Sequence, residues 1–289
     1  MKWPWPSFHS ALGNLLPGDV IVVAGRNASG KTMFAMNLAL KWGVEEQGRI
    51  SYLALECGPD LPLWFGLMQT GEPRFAQRQD EKVDAILRAR EWSRDAWPPD
   101  LDVVDLAFPS PDLLVERVDS DAEGARVVIV DHLAAVDTSG SFEERRAYAR
   151  VMRRLKVVAE AREIPIMVMH QMGRGERQRA EKYRPPNIDN LYGSAIIEHT
   201  ASVVLGLYRT LDETGRGLLM EYNKGAPIPI WQHEQGMGVH VSKARHGAKR
   251  YDLCLIPESV AGHKTDRLMD DSADYDAVNQ TDMLRARQP

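Results

Sequence analysis

A glycine-rich segment near the start of the chain carries the clearest chemical pattern. Residues 25–32 read GRNASGKT, which fits G-x-x-x-x-G-K-[ST]. Gly25 and Gly30 let backbone amides turn inward around phosphate oxygens, where a side chain would obstruct them. Lys31 can reach β- and γ-phosphates, and the Thr32 hydroxyl can ligate Mg²⁺. We therefore predict that a nucleoside triphosphate is bound by Gly25, Arg26, Asn27, Ala28, Ser29, Gly30, Lys31 and Thr32.

The segments on either side of this loop support the prediction. Residues 20–24, VIVVA, follow the turn Pro-Gly-Asp and have the continuous apolar character of a buried parallel strand. After the loop, Phe34, Leu38 and Leu40 are spaced as in a helix packed on a sheet. The positive end of that helix would point at the bound anion. An ordinary helix N-terminus explains the glycines less well than a phosphate loop does.

Two further apolar segments end in a carboxylate. Residues 49–56, RISYLALE, end in Glu56, and residues 125–133, ARVVIVDHL, contain Asp131. At the carboxyl edge of an open α/β sheet Glu56 is either a general base for the attacking water or a solvated strand end. Asp131 fits the aspartate that holds Mg²⁺ through its water shell in triphosphatases. We expect His132 to support the strand end rather than to bind a metal.

A fourth apolar strand is predicted over residues 164–169 and is followed by Gln171. A neutral amide at that position either senses the γ-phosphate or is a satisfied strand-end side chain. The sequence does not favour one interpretation over the other at this stage.

Composition limits the class of protein. The 289 residues fit one large α/β domain or a domain with an appendage, and 44% hydrophobic residues suffice for a packed core. No run reaches the 18–20 apolar residues of a membrane span, and the start has no apolar stretch of signal-peptide length. Two cysteines, Cys57 and Cys254, fit a reducing compartment. We therefore expect a cytoplasmic protein without a membrane partner.

Taken together, these segments resemble the C-terminal RecA-like ATPase domain of DnaB-type replicative helicases. The residues from LPGDVIVVAGRNASGKT onward, YLALE, and VVIVDHLAAV are similar to the first motifs of that family. The most specific similarity runs from Gln171 into RPPNIDNLYGSAIIEHTASVVLGLYR. The matching positions there are Gln171, Arg174, Arg184, Pro185, Gly193, Ser194, Ile197, Glu198, Ala201, Tyr208 and Arg209.

The resemblance covers about residues 7–242 and has definite implications. It implies an α/β fold with a RecA-like P-loop core: a mainly parallel central sheet flanked by helices, plus antiparallel C-terminal strands. It implies ATP and Mg²⁺ at each boundary of a homo-oligomeric, usually hexameric, ring around single-stranded DNA, together with other replication proteins. It makes Glu56 the catalytic base. We divide the chain into a motor domain, residues 1–245, and a partly flexible, acidic extension, residues 246–289.

The sequence departs from the family pattern in three places. We expect no counterpart of the family's N-terminal helical domain. Lys224 lies where the family has an arginine directed at the neighbour's γ-phosphate, and Tyr222 lies where it has a lysine. Lysine supplies charge without the planar fork of a guanidinium, which weakens action in trans. Ser202 follows Ala201 where an aspartate is common. These departures indicate a minimal member of the family.

Basic residues are concentrated in one region. Residues 143–184 contain twelve Lys/Arg and six Asp/Glu, although the whole chain has a net charge of −5. The basic helix predicted over residues 144–162 is either a DNA contact or, as we favour, a solvated face. For the loop 173–190 we favour contact with DNA phosphates, with Tyr183 or Tyr192 stacking on bases. The predicted DNA-binding residues are Arg174, Arg177, Arg179, Lys182 and Arg184.

The leading functional expectation is an ATP-dependent helicase or translocase acting on single-stranded DNA in replication. Two alternative functions remain: a nucleotide-switched DNA-binding or assembly ATPase that loads or regulates another machine, and a recombinase-like filament.

Outside the motifs, we expect a peripheral strand within residues 98–112 and a surface helix over residues 81–92. We expect one edge strand over residues 251–257 and a flexible tail from Gly262.

Overall fold

The computed structural model describes residues 1–44, 48–72, 83–138, 144–172, 186, 194–209, 236–245, 252–260 and 263–270. The helices are α1 (Pro6–Leu12), α2 (Lys31–Val44), α3 (Leu61–Gln69), α4 (Val83–Asp95), α5 (Pro111–Ala122), α6 (Glu144–Arg162) and α7 (Ser194–Thr200). The strands are β1 (Val20–Gly25), β2 (Ile50–Ala54), β3 (Leu101–Asp105), β4 (Val127–Asp131), β5 (Ile166–Gln171), β6 (Val203–Arg209), β7 (Met237–Ala244), β8 (Asp252–Val260) and β9 (His263–Asp270).

The described strands form one sheet in the order β3-β2-β4-β5-β1-β6-β7-β8-β9. The pairs among β1 to β6 are parallel, and β7, β8 and β9 continue the sheet in antiparallel fashion from β6. Parallel strands need crossover connections, which the intervening helices supply. The predicted fold class, a mainly parallel sheet with antiparallel C-terminal strands, is confirmed.

Both faces of the central sheet are buried, which explains its continuous apolar strands. Along β1, Ile21 and Val23 pack on one face, whereas Val20 and Val22 pack on the other. The first face is covered by α1, α2 and α3, and the second by α5, α6 and α7. Successive side chains of a strand point to opposite faces, so a strand covered on both sides is mostly apolar. A polar side chain inside such a strand needs a partner, as Ser51 has in Asp121, and polar groups that can meet a ligand lie at the strand ends.

The C-terminal strands lie against the N-terminal segment. The indole nitrogen of Trp5 donates to the carbonyl of Leu268 at 3.2 Å, and the Ser7 hydroxyl donates to Asp270 at 2.7 Å. The Leu268 amide donates to the side-chain oxygen of Asn37 in α2 at 2.8 Å. The expectation of a flexible tail from Gly262 was therefore wrong for residues 263–270, because this strand has partners remote in sequence. The domain boundary at residue 245 stays a prediction.

Two peripheral predictions are confirmed. The strand within residues 98–112 is β3, which lies at the edge of the sheet. The surface helix near residues 81–92 is α4, which packs on α3. None of the helices in the described part of the chain combines the length and hydropathy needed to cross a membrane.

A substitution tests whether β9 stabilises α2, the helix that begins at the phosphate loop. In Asn37→Ala the buried Leu268 amide loses its acceptor, and an unsatisfied buried donor costs about 1–3 kcal/mol. We expect the free energy of unfolding in urea to fall by that amount. Ser7→Ala is the control, because it removes a less buried hydrogen bond to the same strand and should cost only about 0.5–1.5 kcal/mol. Wild-type stability in Asn37→Ala would show that the hydrogen bond between Asn37 and β9 contributes nothing to stability.

Candidate functional site

Four neighbouring parallel strands end at the same edge of the sheet. In the strand register, Ala54 of β2 is opposite Asp131 of β4, and Gly25 of β1 is opposite Gln171 of β5. Glu56 lies two residues beyond the end of β2. The phosphate loop, Glu56, Asp131 and Gln171 are far apart in sequence, and the spatial order β2-β4-β5-β1 brings them to one edge.

The loop after β1 has the backbone geometry that the glycine pattern predicts. Ala28 and Gly30 have positive φ angles of 59° and 96°. Gly30 also lies against Met237 of β7: a Cβ added to Gly30 would approach the terminal methyl of Met237 to 2.4 Å. Helix α2 begins directly after Gly30, and the amide of Phe34 donates to the Gly30 carbonyl at 2.8 Å. The first amides of a helix have no intrahelical acceptor and can bind an anion.

Lys31 is a buried cation at the centre of this edge. Its side chain is only 7% exposed, and its ammonium donates to the carbonyls of Gly25 and Arg26 at 3.0 Å each. Burial lowers the pKa of Lys31 to about 8, and the negative charges of Asp131 and Glu56 oppose that shift. Desolvation penalises the charged form, so a bound polyanion would restore the ordinary preference of lysine for its proton.

Asp131 presents one carboxylate oxygen to the protein and leaves the other without a partner. The hydroxyl of Tyr52 in β2 donates to Oδ2 of Asp131 at 2.6 Å. Oδ1 is buried and has no hydrogen-bond partner among the described residues. A buried carboxylate oxygen without a partner is costly unless a ligand satisfies it. Together with Thr32 in the first turn of α2, this oxygen fits the acceptor set of Mg²⁺ and its water shell.

Glu56 contacts a side chain from the adjacent strand end. Nε2 of His132 lies 3.0 Å from Oε2 of Glu56. The histidine side chain is 18% exposed and the glutamate side chain 53% exposed, so the contact is at the mouth of the site. His132, which we expected to support the strand end, therefore contacts the predicted catalytic base, Glu56.

Gln171 lies at the end of β5 beside the start of the phosphate loop. The next amide along the chain, that of Met172, donates to the Gly25 carbonyl at 3.1 Å. That carbonyl also accepts from the ammonium of Lys31. The strand end that carries the predicted sensor is therefore hydrogen-bonded to the residue that opens the phosphate loop.

Two contributors to the site were not identified from the sequence. Tyr52 holds Asp131, and the guanidinium of Arg209, at the end of β6, donates to the carbonyl of Ala28 in the phosphate loop at 2.8 Å. The tyrosine carried a signal, because a buried tyrosine in an apolar strand needs a partner for its hydroxyl. Arg209 belonged to the family pattern, but nothing in the pattern indicated that it contacts the loop.

The remaining predicted site residues lie outside the described part of the chain. They are Lys224, the candidate that acts on a neighbour, and the five candidates for DNA contact, Arg174, Arg177, Arg179, Lys182 and Arg184.

Comparisons with known families agree with this geometry. The family described as the DnaB-like helicase C terminal domain matches residues 110–254, and the family described as an AAA domain matches residues 1–177. The two matches overlap and together include every strand end that contributes to the site.

Curated relatives carry the same description. The replicative DNA helicase DnaB of Treponema pallidum is 27% identical over 240 residues, which are 76% of this chain and 51% of the relative. That of Pasteurella multocida is 28% identical over 206 residues, 68% of this chain and 43% of the relative. A probable plasmid replicative DNA helicase of Chlamydia psittaci is 25% identical over 206 residues, 70% and 44% of the two chains. The chain spans about half the length of these relatives.

Solved structures share the fold. The structure of a DnaB-like replicative helicase, described with its interactions with primase, superposes with a TM-score of 0.69 at 16% identity and covers 91% of this chain and 61% of its own. A second solved structure, described as an ATPase domain, gives a TM-score of 0.67 at 17% identity; the match covers 92% of this chain and 89% of that structure's chain. With a family match over half of the sequence, the resemblance read from the motifs is confirmed: the chain belongs to the family of DnaB-like helicase C-terminal domains.

Proposed function

We propose that this chain is an ATP-hydrolysing motor domain that moves on single-stranded DNA during replication. The observation that carries the proposal is the convergence of the phosphate loop, Glu56, Asp131 and Gln171 at adjacent ends of parallel strands. Phosphoryl transfer to water needs a cationic phosphate-binding loop, a metal ligand, a general base for the water and a group that detects the γ-phosphate, and these residues fit those roles. Membership in the DnaB-like family supports DNA, rather than another macromolecule, as the partner on which the ATPase acts.

Each side chain has a proposed role in hydrolysis. Lys31 exchanges its carbonyl acceptors for the β- and γ-phosphate oxygens and stabilises the charge that develops on them. Thr32 and Asp131 would hold Mg²⁺, which would neutralise phosphate charge. Glu56 accepts a proton from the water whose oxygen bonds to the γ-phosphorus, while the bond to the β–γ bridging oxygen breaks and ADP leaves. Gln171 reports the loss of the γ-phosphate.

The proposed assembly is a homo-oligomeric ring, hexameric as the family resemblance implies. In such a ring the nucleotide lies at a boundary between subunits, and Lys224 of one subunit acts on the γ-phosphate held by the next. Its ammonium supplies charge without the bidentate geometry of a guanidinium, so stimulation in trans should be modest. Other replication proteins are the proposed partners of the ring.

The first prediction concerns ATP turnover stimulated by single-stranded DNA. In Lys31→Ala the loss of one phosphate donor should lower kcat about 10²–10³-fold. In Glu56→Gln the loss of the general base should lower kcat about 10²–10⁴-fold. Steady-state phosphate release measures both effects. Lys41→Ala, on the same helix as Lys31, and Glu116→Gln, on the exposed face of α5, are matched controls that should retain turnover. Wild-type turnover that is indifferent to DNA would contradict the motor.

The second prediction is a pH dependence of nucleotide binding. Because burial lowers the pKa of Lys31 to about 8, the free protein loses this charge as pH rises through that value. Bound phosphates favour the protonated amine, so binding takes up a proton, and affinity should fall by up to about tenfold per pH unit above the pKa. Calorimetry of ATP binding in buffers of different ionisation enthalpy counts the protons. Lys31→Arg, which stays charged, is the control; identical proton uptake in this variant would exclude Lys31 as the source.

The third prediction concerns DNA. The double variant Arg177→Ala with Arg179→Ala should weaken single-stranded DNA binding and reduce the salt slope of log affinity by about 0.7 per lost phosphate contact. The control is Arg90→Ala with Arg94→Ala on the exposed side of α4, which removes the same charge elsewhere. A filter-binding titration over several salt concentrations separates the two variants. Equal slopes for both would contradict the proposed DNA contact.

Unwinding and imaging experiments separate this function from its rivals. A motor unwinds or translocates and forms closed rings with ATP and DNA. A switched assembly ATPase changes DNA affinity or oligomer size with ATP but does not unwind, and a recombinase-like protein forms open helices in negative-stain images.

A further inference from the structure

We propose that His132 is a positioning residue for the general base: it donates a hydrogen bond from Nε2 to Oε2 of Glu56 and holds that carboxylate in its productive orientation. The inference rests on the proposed role of Glu56 in hydrolysis.

The base needs an external constraint. Glu56 lies two residues beyond the end of β2, outside the strand ladder, and its side chain is 53% exposed. A glutamate so placed can adopt several rotamers, and ordering such a flexible side chain costs conformational entropy. A base must lie within hydrogen-bond reach of the proton that it removes, so an unheld glutamate would spend much of its time in unproductive positions.

The histidine is placed to supply that constraint. Its backbone follows Asp131 at the end of β4, the strand next to β2 in the sheet. The amide of Leu55 donates to the Asp131 carbonyl at 2.7 Å, so the backbones beside Glu56 and His132 are joined directly. Nε2 reaches Oε2 of Glu56 at 3.0 Å, within the ordinary range of a nitrogen–oxygen hydrogen bond.

The environment of the ring defines which nitrogen donates. Nδ1 of His132 is buried and has no hydrogen-bond partner among the described residues. Nε2 is therefore the ring nitrogen that reaches an acceptor, and it donates to Oε2 of Glu56. Oε1 of Glu56 remains available for the proton of the attacking water.

The neighbouring contact on Asp131 has the same form. Tyr52 donates to Oδ2 of Asp131 and leaves Oδ1 without a protein partner among the described residues, just as His132 engages one oxygen of Glu56. Each carboxylate of the site therefore has one oxygen in contact with a donor from the adjacent strand or its end. The pairing is reciprocal: β2 supplies Tyr52 and is followed by Glu56, whereas β4 ends in Asp131 and is followed by His132.

The test compares variants of the whole chain in DNA-stimulated ATP turnover. His132→Leu removes the donor at similar volume and should lower kcat about 10- to 100-fold, the cost of losing an orienting partner, with KM and nucleotide affinity little changed. His132→Gln keeps an N–H of comparable reach and should recover most of kcat. In the Glu56→Gln background His132→Leu should cause no further loss, because the two residues act as one unit.

The outcomes separate this inference from the proposed function. Unchanged kcat in His132→Leu, or loss in His132→Gln equal to that in His132→Leu, would overturn the positioning role. A lower kcat with a matching loss of nucleotide affinity would also overturn it, because the residue would then support the fold of the site. If Glu56→Gln itself retains turnover, the assignment of the base fails, whatever the histidine variants show. Thermal unfolding of each variant identifies any that is misfolded, and the cycle is then repeated with His132→Tyr in place of the misfolded variant.

Discussion

The hydrogen-bonded register of β2, β4, β5 and β1 is the constraint on which the rest of the molecule depends. Because both faces of these strands are covered by helices, their side chains are mostly apolar until the strands end. The register then decides which polar residues become neighbours, and it places Glu56 and Asp131 on adjacent strands and Gln171 opposite Gly25. A slip of one residue in a single strand would separate these groups and reverse its buried faces.

Burial at this edge of the sheet has an electrostatic cost for Lys31. Lys31 is only 7% exposed, and two carbonyls with two nearby carboxylates only partly compensate for the lost solvation of its ammonium, so its pKa falls. A ligand that brings several negative charges would offset the same cost. The phosphate loop is held in shape from β6 and β7 as well, through Arg209 on Ala28 and Met237 beside Gly30. The two strands that follow β1 in the sheet therefore contribute to the loop that begins at β1.

The two carboxylates of the site each contact one side chain from the neighbouring strand or its end. The Tyr52 hydroxyl donates to Oδ2 of Asp131, and Nε2 of His132 lies 3.0 Å from Oε2 of Glu56. A side chain that is held by such a contact has fewer orientations available to it. The same two strands therefore place the carboxylates and supply the groups that contact them.

The sequence by itself determined the phosphate loop, the four strands and the residues that end them, because glycine conformation, hydrophobic burial and strand length are local properties. It also indicated the edge strand β3 and the helix α4. Only the tertiary structure decided which strand ends are adjacent, that Tyr52 holds Asp131, that Arg209 braces Ala28, and that β9 packs on α2 through Asn37. These contacts join residues from 79 to 231 positions apart, and no local pattern encodes a partner at that distance. The tail looked unstructured for a related reason: besides pairing with β8, strand β9 is held by Trp5, Ser7 and Asn37, which belong to the first forty residues of the chain.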